Sequence, residues 1–156
     1  MLFRSAVIPA RYQSSRLPGK MLLDIAGKPM ILHVIERVRQ SGAQAVYVAT
    51  DDDRIRVVCE QAGANVCMTD TNHQSGTDRI AEVADQLQLS NEALIVNVQG
   101  DEPLIPPAVI DQVATNLAQN NKAGISTLYA DITDEAEFTN PNAVKLVTDA
   151  DGNVLY

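Results

Sequence analysis

Two cysteines are all the chain has, and Cys59 and Cys67 stand in neither a C-x-x-C nor a Cys/His metal spacing, which argues against a zinc site. Uninterrupted apolar stretches are short. Ala93 to Val96 is far below the roughly 20 residues a membrane helix needs, and Met1 to Ile8 is too short for a signal peptide. Positive charge is also scarce: 12 Lys and Arg face 20 Asp and Glu, and a formal charge of -8 argues against a protein that grips nucleic-acid backbone. No repeat, low-complexity tract or linker interrupts the chain, and no Ser-His-Asp or Cys-His set is visible. Neither G-x-x-x-x-G-K-[ST] nor G-x-G-x-x-G occurs, so the Walker and dinucleotide-fingerprint readings lose support. With 156 residues, 46% apolar and 21% charged, the expectation is a soluble, cytoplasmic, single folded domain.

What charge there is lies unevenly. Residues 1–50 hold seven of the 12 cations and only two of the 20 acids, so a cationic segment sits in an otherwise acidic chain. That pattern suits a local anion site, and it also suits ordinary solvated surface. Hydrophobic periodicity then sets the architecture. Phe3 to Pro9 is a nearly continuous apolar strand; Met30, Ile31, Val34, Ile35 and Val38 recur at helical spacing between Pro29 and Gly42. The alternation continues with a strand over 45–50, a helix over 52–62, a strand over 65–68, a helix over 77–89, a strand over 93–99 and a helix over 106–120. Further strands are predicted at 124–130 and 143–148, with Asp151-Gly152 as a hairpin turn. Strands apolar throughout, separated by amphipathic helices, predict an α/β domain with a mostly parallel sheet in three Rossmann-like α/β/α layers. Ligands of such sheets lie beyond the carboxyl ends of the strands, so the loops after strands are where chemistry is sought.

The loop after the first strand spreads Arg11, Arg16 and Lys20 among small and turn-forming residues. Guanidinium forks and a Lys point charge are what a triphosphate requires, although a plain surface loop would read the same way. The strand ending at Gln99-Gly100 runs directly into Asp101-Glu102-Pro103. Asp101 there suits Mg²⁺, which takes one or two carboxylates and completes its shell with water and substrate phosphates; a capping turn is the alternative. Gln99 reaches the same cleft with a neutral donor and acceptor. Thr50 and Asp51, and the stretch His73 to Arg79, end in the same region, although Thr50, Asp51 and Thr77 equally suit helix N-caps. His33 reads as a packed or surface histidine and His73 as a weak ligand candidate.

Taken together, Ile8-Pro9-Ala10-Arg11 through Arg16-Leu17-Pro18-Gly19-Lys20, Gly27-Lys28-Pro29-Met30, Ala49-Thr50-Asp51, His73-Gln74-Ser75-Gly76-Thr77-Asp78-Arg79, Val96 through Pro103 and Asn140 through Lys145 resemble the CMP-KDO synthetase (3-deoxy-manno-octulosonate cytidylyltransferase) family, in collinear order over the whole chain. The resemblance implies a glycosyltransferase-A-type (nucleotide-diphospho-sugar transferase) fold and a Mg²⁺-dependent enzyme of lipopolysaccharide synthesis. That enzyme transfers CMP from CTP to KDO with release of pyrophosphate. It further implies that Arg11, Arg16 and Lys20 hold phosphate, that Ala10, Thr50, Asp51, Ser75, Arg79 and Gln99 face the nucleotide, and that Asp101 ligates the metal. Family members continue well beyond the position of Tyr156, and the resemblance places most sugar contacts, a homodimer surface and a second metal carboxylate in that continuation. The expectation is therefore one nucleotide-binding α/β domain over 1–156, shorter than the family at its C-terminal end and a poor catalyst alone. The alternatives are a non-catalytic nucleotide-binding fragment and a cytidylyltransferase for another sugar acid.

Overall fold

The computed structural model describes residues 3–13 and 17–156. Strand β1 (Phe3–Pro9) leads into a loop that ends in a 3-10 turn at Lys20–Leu22. A two-residue hairpin follows, β2 (Asp24–Ile25) with β3 (Lys28–Pro29), and then α1 (Met30–Arg39), β4 (Ala43–Thr50), α2 (Asp53–Gln61) and β5 (Asn65–Met68). After these come α3 (Gly76–Gln86), β6 (Ile95–Asn97), α4 (Pro107–Gln119) and α5 (Glu135–Thr139). Among the described residues no helix is long and apolar enough to cross a membrane.

The four longer strands form a parallel sheet in the order β5-β4-β1-β6. A parallel neighbour cannot be reached by a tight turn, so each connection carries a helix across a face of the sheet. The chain moves outward from β1 to β4 and β5, then returns to the opposite side of β1 to lay down β6. Between β1 and β6 the crossovers diverge, and this reversal opens a crevice beyond the carboxyl ends of the two strands.

Period-two alternation along the strands supplies two separate cores. Ala6 and Ile8 of β1, Val48 of β4 and Val96 of β6 pack on one face against Ile31, Val34, Ile35 and Val38 of α1, Ile55 and Cys59 of α2, and Ile110 and Ala114 of α4. Val7, Ala49 and Cys67 point the other way, onto Val83 of α3 with Ile80 and Leu87 beside it. Each buried Val or Ile is worth about 1.5–3 kcal/mol of transfer free energy, so this two-sided burial, more than helix propensity, holds the layers together. Both cysteines are free and buried, and burial pushes the Cys59 thiol up to about 11. His33 is a structural residue: its Nε2 lies 2.8 Å from the carbonyl oxygen of Ile25 in the small hairpin.

Local expectations fail at three places. The cap of α2 is Asp52, whose carboxylate accepts the Arg54 N–H at 2.9 Å, and not Thr50 or Asp51. The cap of α3 is Ser75, which exchanges bonds of 3.1 Å each way with Asp78 in a capping box, and not Thr77. The strands predicted at 124–130 and 143–148 do not form. Residues 127–156 make up a second unit, apart from 1–126, in which no residue is buried. An apolar run becomes a strand only when a partner satisfies its backbone, and here the only pairing is the Thr148–Val154 antiparallel bridge across the Asp151-Gly152 turn. Within that unit Asp134 caps α5 by accepting the Glu137 N–H at 2.6 Å.

Candidate functional site

The crevice between β1 and β6 is built by close backbone approach. Ala10 is buried, and its N–H donates to the Ala49 carbonyl at 2.8 Å, so the chain leaves β1 still in register with β4. The following loop closes on itself where Gly19 N–H donates to the Tyr12 carbonyl at 2.8 Å. Gly19 has φ 71°, and a Cβ there would lie 3.0 Å from the Tyr12 ring, so the closure needs glycine for both conformation and space. The 3-10 turn that begins at once carries Lys20 to the mouth of the crevice.

On the other side, Val98 N–H donates to the Val7 carbonyl at 3.1 Å and prolongs the pairing of β6 with β1. Gly100 then passes so near the end of β1 that a Cβ on it would meet Met21 Sδ at 2.9 Å and the Pro9 carbonyl oxygen at 3.0 Å. Only a bare backbone fits, and it delivers Asp101 opposite Lys20: Nζ to Oδ2 is 2.8 Å, across 81 residues of chain. Gln99 is exposed beside it and its amide donates to Asn97 Oδ1 at 3.2 Å.

The third wall is the N-terminal turn of α3, where Gly76 faces Pro9 and Ser75 keeps its hydroxyl on the Asp78 carboxylate at 2.7 Å. Arg79, one turn later, is 3% exposed. Its guanidinium donates to Asp51 Oδ2 at 2.8 Å and, on its other arm, to Thr69 Oγ1, so it ties the carboxyl ends of β4 and β5 to α3. Thr50 is wholly buried, and its hydroxyl accepts the Asp52 N–H at 3.2 Å.

These walls enclose a cleft of about 500 Å³. Of the residues singled out in the sequence, Ala10, Arg11, Lys20, Ser75, Arg79, Gln99 and Asp101 line it. Asp51 lies instead in an adjoining hollow of about 320 Å³ that shares Arg11, His73 and Arg79, and Thr50 lies beneath. Arg16 falls outside the described residues. Pro9, Leu17, Met21 and Gly76 also line the cleft, and residue chemistry did not single them out because they contribute shape and backbone rather than charge. His73 stands on the rim of both hollows with Nε2 2.5 Å from Glu82 Oε2. The Asp70 N–H and His73 hold the Glu82 carboxyl below the usual carboxylate range.

Charge in the cleft is partly self-compensated. Arg79 is spent on Asp51 and Lys20 on Asp101, which leaves Arg11 as the cleft cation without an ion pair among the described residues. No cluster of three or more His, Cys, Asp or Glu able to cage a metal occurs among the described residues. Asp101 is one hard oxygen donor that can share a cation with water and a ligand's own phosphates, which fits Mg²⁺ and not a soft metal.

The fold is that of α/β proteins of the nucleotidyltransferase class. Residues 5–156 match the family described as cytidylyltransferase, and the chain belongs to that family. It is 59% identical over 150 residues to the 3-deoxy-manno-octulosonate cytidylyltransferase of Tolumonas auensis, covering 96% of this chain and 59% of that protein. Against the enzyme of the same name from Haemophilus influenzae it is 55% identical over 152 residues, covering 97% and 59%. A solved structure of CMP:2-keto-3-deoxy-manno-octonic acid synthetase complexed with CTP superposes with a TM-score of 0.84 at 40% identity, over 99% of this chain and 63% of that one. The chain thus spans about three fifths of the length of the curated relatives it matches.

Proposed function

We propose that the chain forms the nucleotide-binding part of an enzyme that transfers CMP from CTP to KDO (3-deoxy-manno-octulosonate), releases pyrophosphate and serves lipopolysaccharide synthesis. The observation that carries this reading is the likeness, over 99% of the chain, to a synthetase complexed with CTP. The crevice supplies matching chemistry. In the reaction an anomeric hydroxyl of the sugar acid attacks the α-phosphorus, a new P–O bond forms as the bond to pyrophosphate breaks, and the hydroxyl proton leaves to solvent. Little covalent work falls to the protein, so catalysis is positioning and charge neutralisation.

Arg11, Lys20 and Arg16 bind the phosphates in this reading, with Lys20 and Arg16 toward the β/γ end. Ala10, Ser75 and Gln99 meet the nucleotide, while Arg79, through Asp51 and Thr69, holds the turn of α3 against the sheet and acts through its placement; buried Thr50 fixes the loop after β4 by accepting the Asp52 N–H. Mg²⁺, which Asp101 would hold, would supply neutralising charge at the transferring phosphoryl group. The full-length protein is proposed to be a cytoplasmic homodimer.

The test is calorimetric titration with CTP and CMP, alongside pyrophosphate release from CTP with and without KDO. Lys20→Ala should weaken CTP binding more than CMP binding, with the gap narrowing in high salt. Failure of the chain to bind CTP, or pyrophosphate release by the full-length protein that is indifferent to KDO, would overturn the proposal.

A further inference from the structure

Two residues that the sequence assigns to different partners hold each other. Lys20, a phosphate candidate, and Asp101, a metal candidate, form an ion pair of 2.8 Å, and both sides of it are fixed by backbone. On the Lys20 side, Leu22 N–H donates to the Gly19 carbonyl at 2.8 Å and pins the turn; on the Asp101 side, Gly100 is seated against Pro9 and Met21. The two side chains are 38% and 42% exposed, so the pair is open to competing ions and is not a sealed structural bridge. An ammonium directed at a carboxylate is not directed at a phosphate, and a carboxylate oxygen holding an ammonium is a poorer ligand for a cation.

We infer that Asp101 is an internal competitor for Lys20, which makes the triphosphate and the divalent cation bind more tightly together than separately. The inference rests on the reading of the cleft as a triphosphate site. Phosphate that draws Lys20 away frees the Asp101 carboxylate for the cation; a cation that draws Asp101 away frees Lys20 for phosphate. Thermodynamic linkage makes the two effects equal in size. The size is set by a half-exposed ion pair, up to about fivefold in affinity at low salt. It falls as salt screens the pair. Free triphosphate is thereby disfavoured against its metal complex before any metal ligation is counted, which gives Asp101 a role in selection as well as in ligation.

The experiment is a double-mutant cycle on the full chain, with CTP titrated in EDTA at low salt into the parent protein, Lys20→Met, Asp101→Asn and the double variant. Unchanged melting curves confirm that all four are folded. Asp101→Asn is expected to bind metal-free CTP about two- to fivefold more tightly than the parent. In the Lys20→Met background the same substitution should give a smaller gain, because there is no ammonium left to release. Removal of an anion near the triphosphate would by itself give equal gains in both backgrounds, and equal gains would overturn the inference. In an independent arm, Mn²⁺ alone is titrated by electron paramagnetic resonance; Lys20→Met should bind it more tightly than the parent by a similar factor, and unchanged Mn²⁺ affinity would also overturn it. A parent protein that binds no CTP even with Mg²⁺ would remove the triphosphate reading and this inference together, whereas CTP binding with additive variants removes the inference alone.

Discussion

Gly100→Ala adds a single methyl group where, among the described glycines, a Cβ has the least room. That carbon would sit 2.9 Å from Met21 Sδ and 3.0 Å from the Pro9 carbonyl oxygen, against about 3.5–4.0 Å for an unstrained contact. The two neighbours differ in how they can yield. Met21 is a flexible side chain that can swing away, whereas the Pro9 oxygen belongs to β1, which is hydrogen-bonded on both sides. The chain at residue 100 must therefore move out from β1. Overpacking of this kind costs about 1–3 kcal/mol. The larger effect is functional: Asp101 shifts with Gly100 relative to Lys20, and a displacement near 1 Å costs about 10²-fold in a reaction that depends on positioning. Chemical denaturation reads the first effect, and pyrophosphate release from CTP plus KDO by the full-length protein reads the second. Gly124→Ala is the matched control, because nothing lies within 4 Å of its Cβ, and its stability should change by less than about 0.5 kcal/mol. Adding Met21→Ala to Gly100→Ala should rescue only part of the loss, since the carbonyl contact stays. A Gly100→Ala protein with parental stability and turnover would refute the close-approach argument.

Arg79→Met should destabilise the fold by about 3–5 kcal/mol, because it strands Asp51 without its partner, and Arg79→Lys should recover little, since one ammonium cannot reproduce a fork that holds Asp51 and Thr69 together; urea denaturation distinguishes the three proteins. Glu82→Gln should flatten the acid limb of the stability profile. The Glu82 carboxyl is held below its ordinary value of 4.5 by the Asp70 N–H and His73, so its contribution is complete above that value and is lost as pH falls through the depressed folded pKa. Thermal melts of parent and variant from pH 6 to pH 3 should diverge at the upper end and converge at the lower, and parallel curves would contradict this.

Much of the layered fold was legible because periodicity is a local property of the chain. Ile31, Val34, Ile35 and Val38 fall on one face of a helix whatever surrounds it, and the run of β1 reads as a strand buried on both faces. Cationic and acidic strand-end loops stood out for the same reason, since charge type and spacing are written in the sequence. The strands expected at 124–130 and 143–148 were misread because strand formation depends on a partner that local composition does not reveal. Cap positions slipped by one or two residues, since Thr50, Asp51 and Asp52, or Ser75 and Thr77, carry equivalent oxygens, and only backbone geometry chooses among them.

By itself, then, the sequence determined the βαβα grammar, the two-faced burial of the sheet and the kinds of group available to an anion. Tertiary structure alone decided the strand order β5-β4-β1-β6, and with it which loops share a crevice. It also decided that Arg79 is a buried brace and that Lys20 and Asp101, 81 residues apart, spend their charges on each other. The physical reason is that an ionic or packing contact depends on distance in space, which follows from the crossover path of the whole chain, and no local pattern of residues encodes that distance.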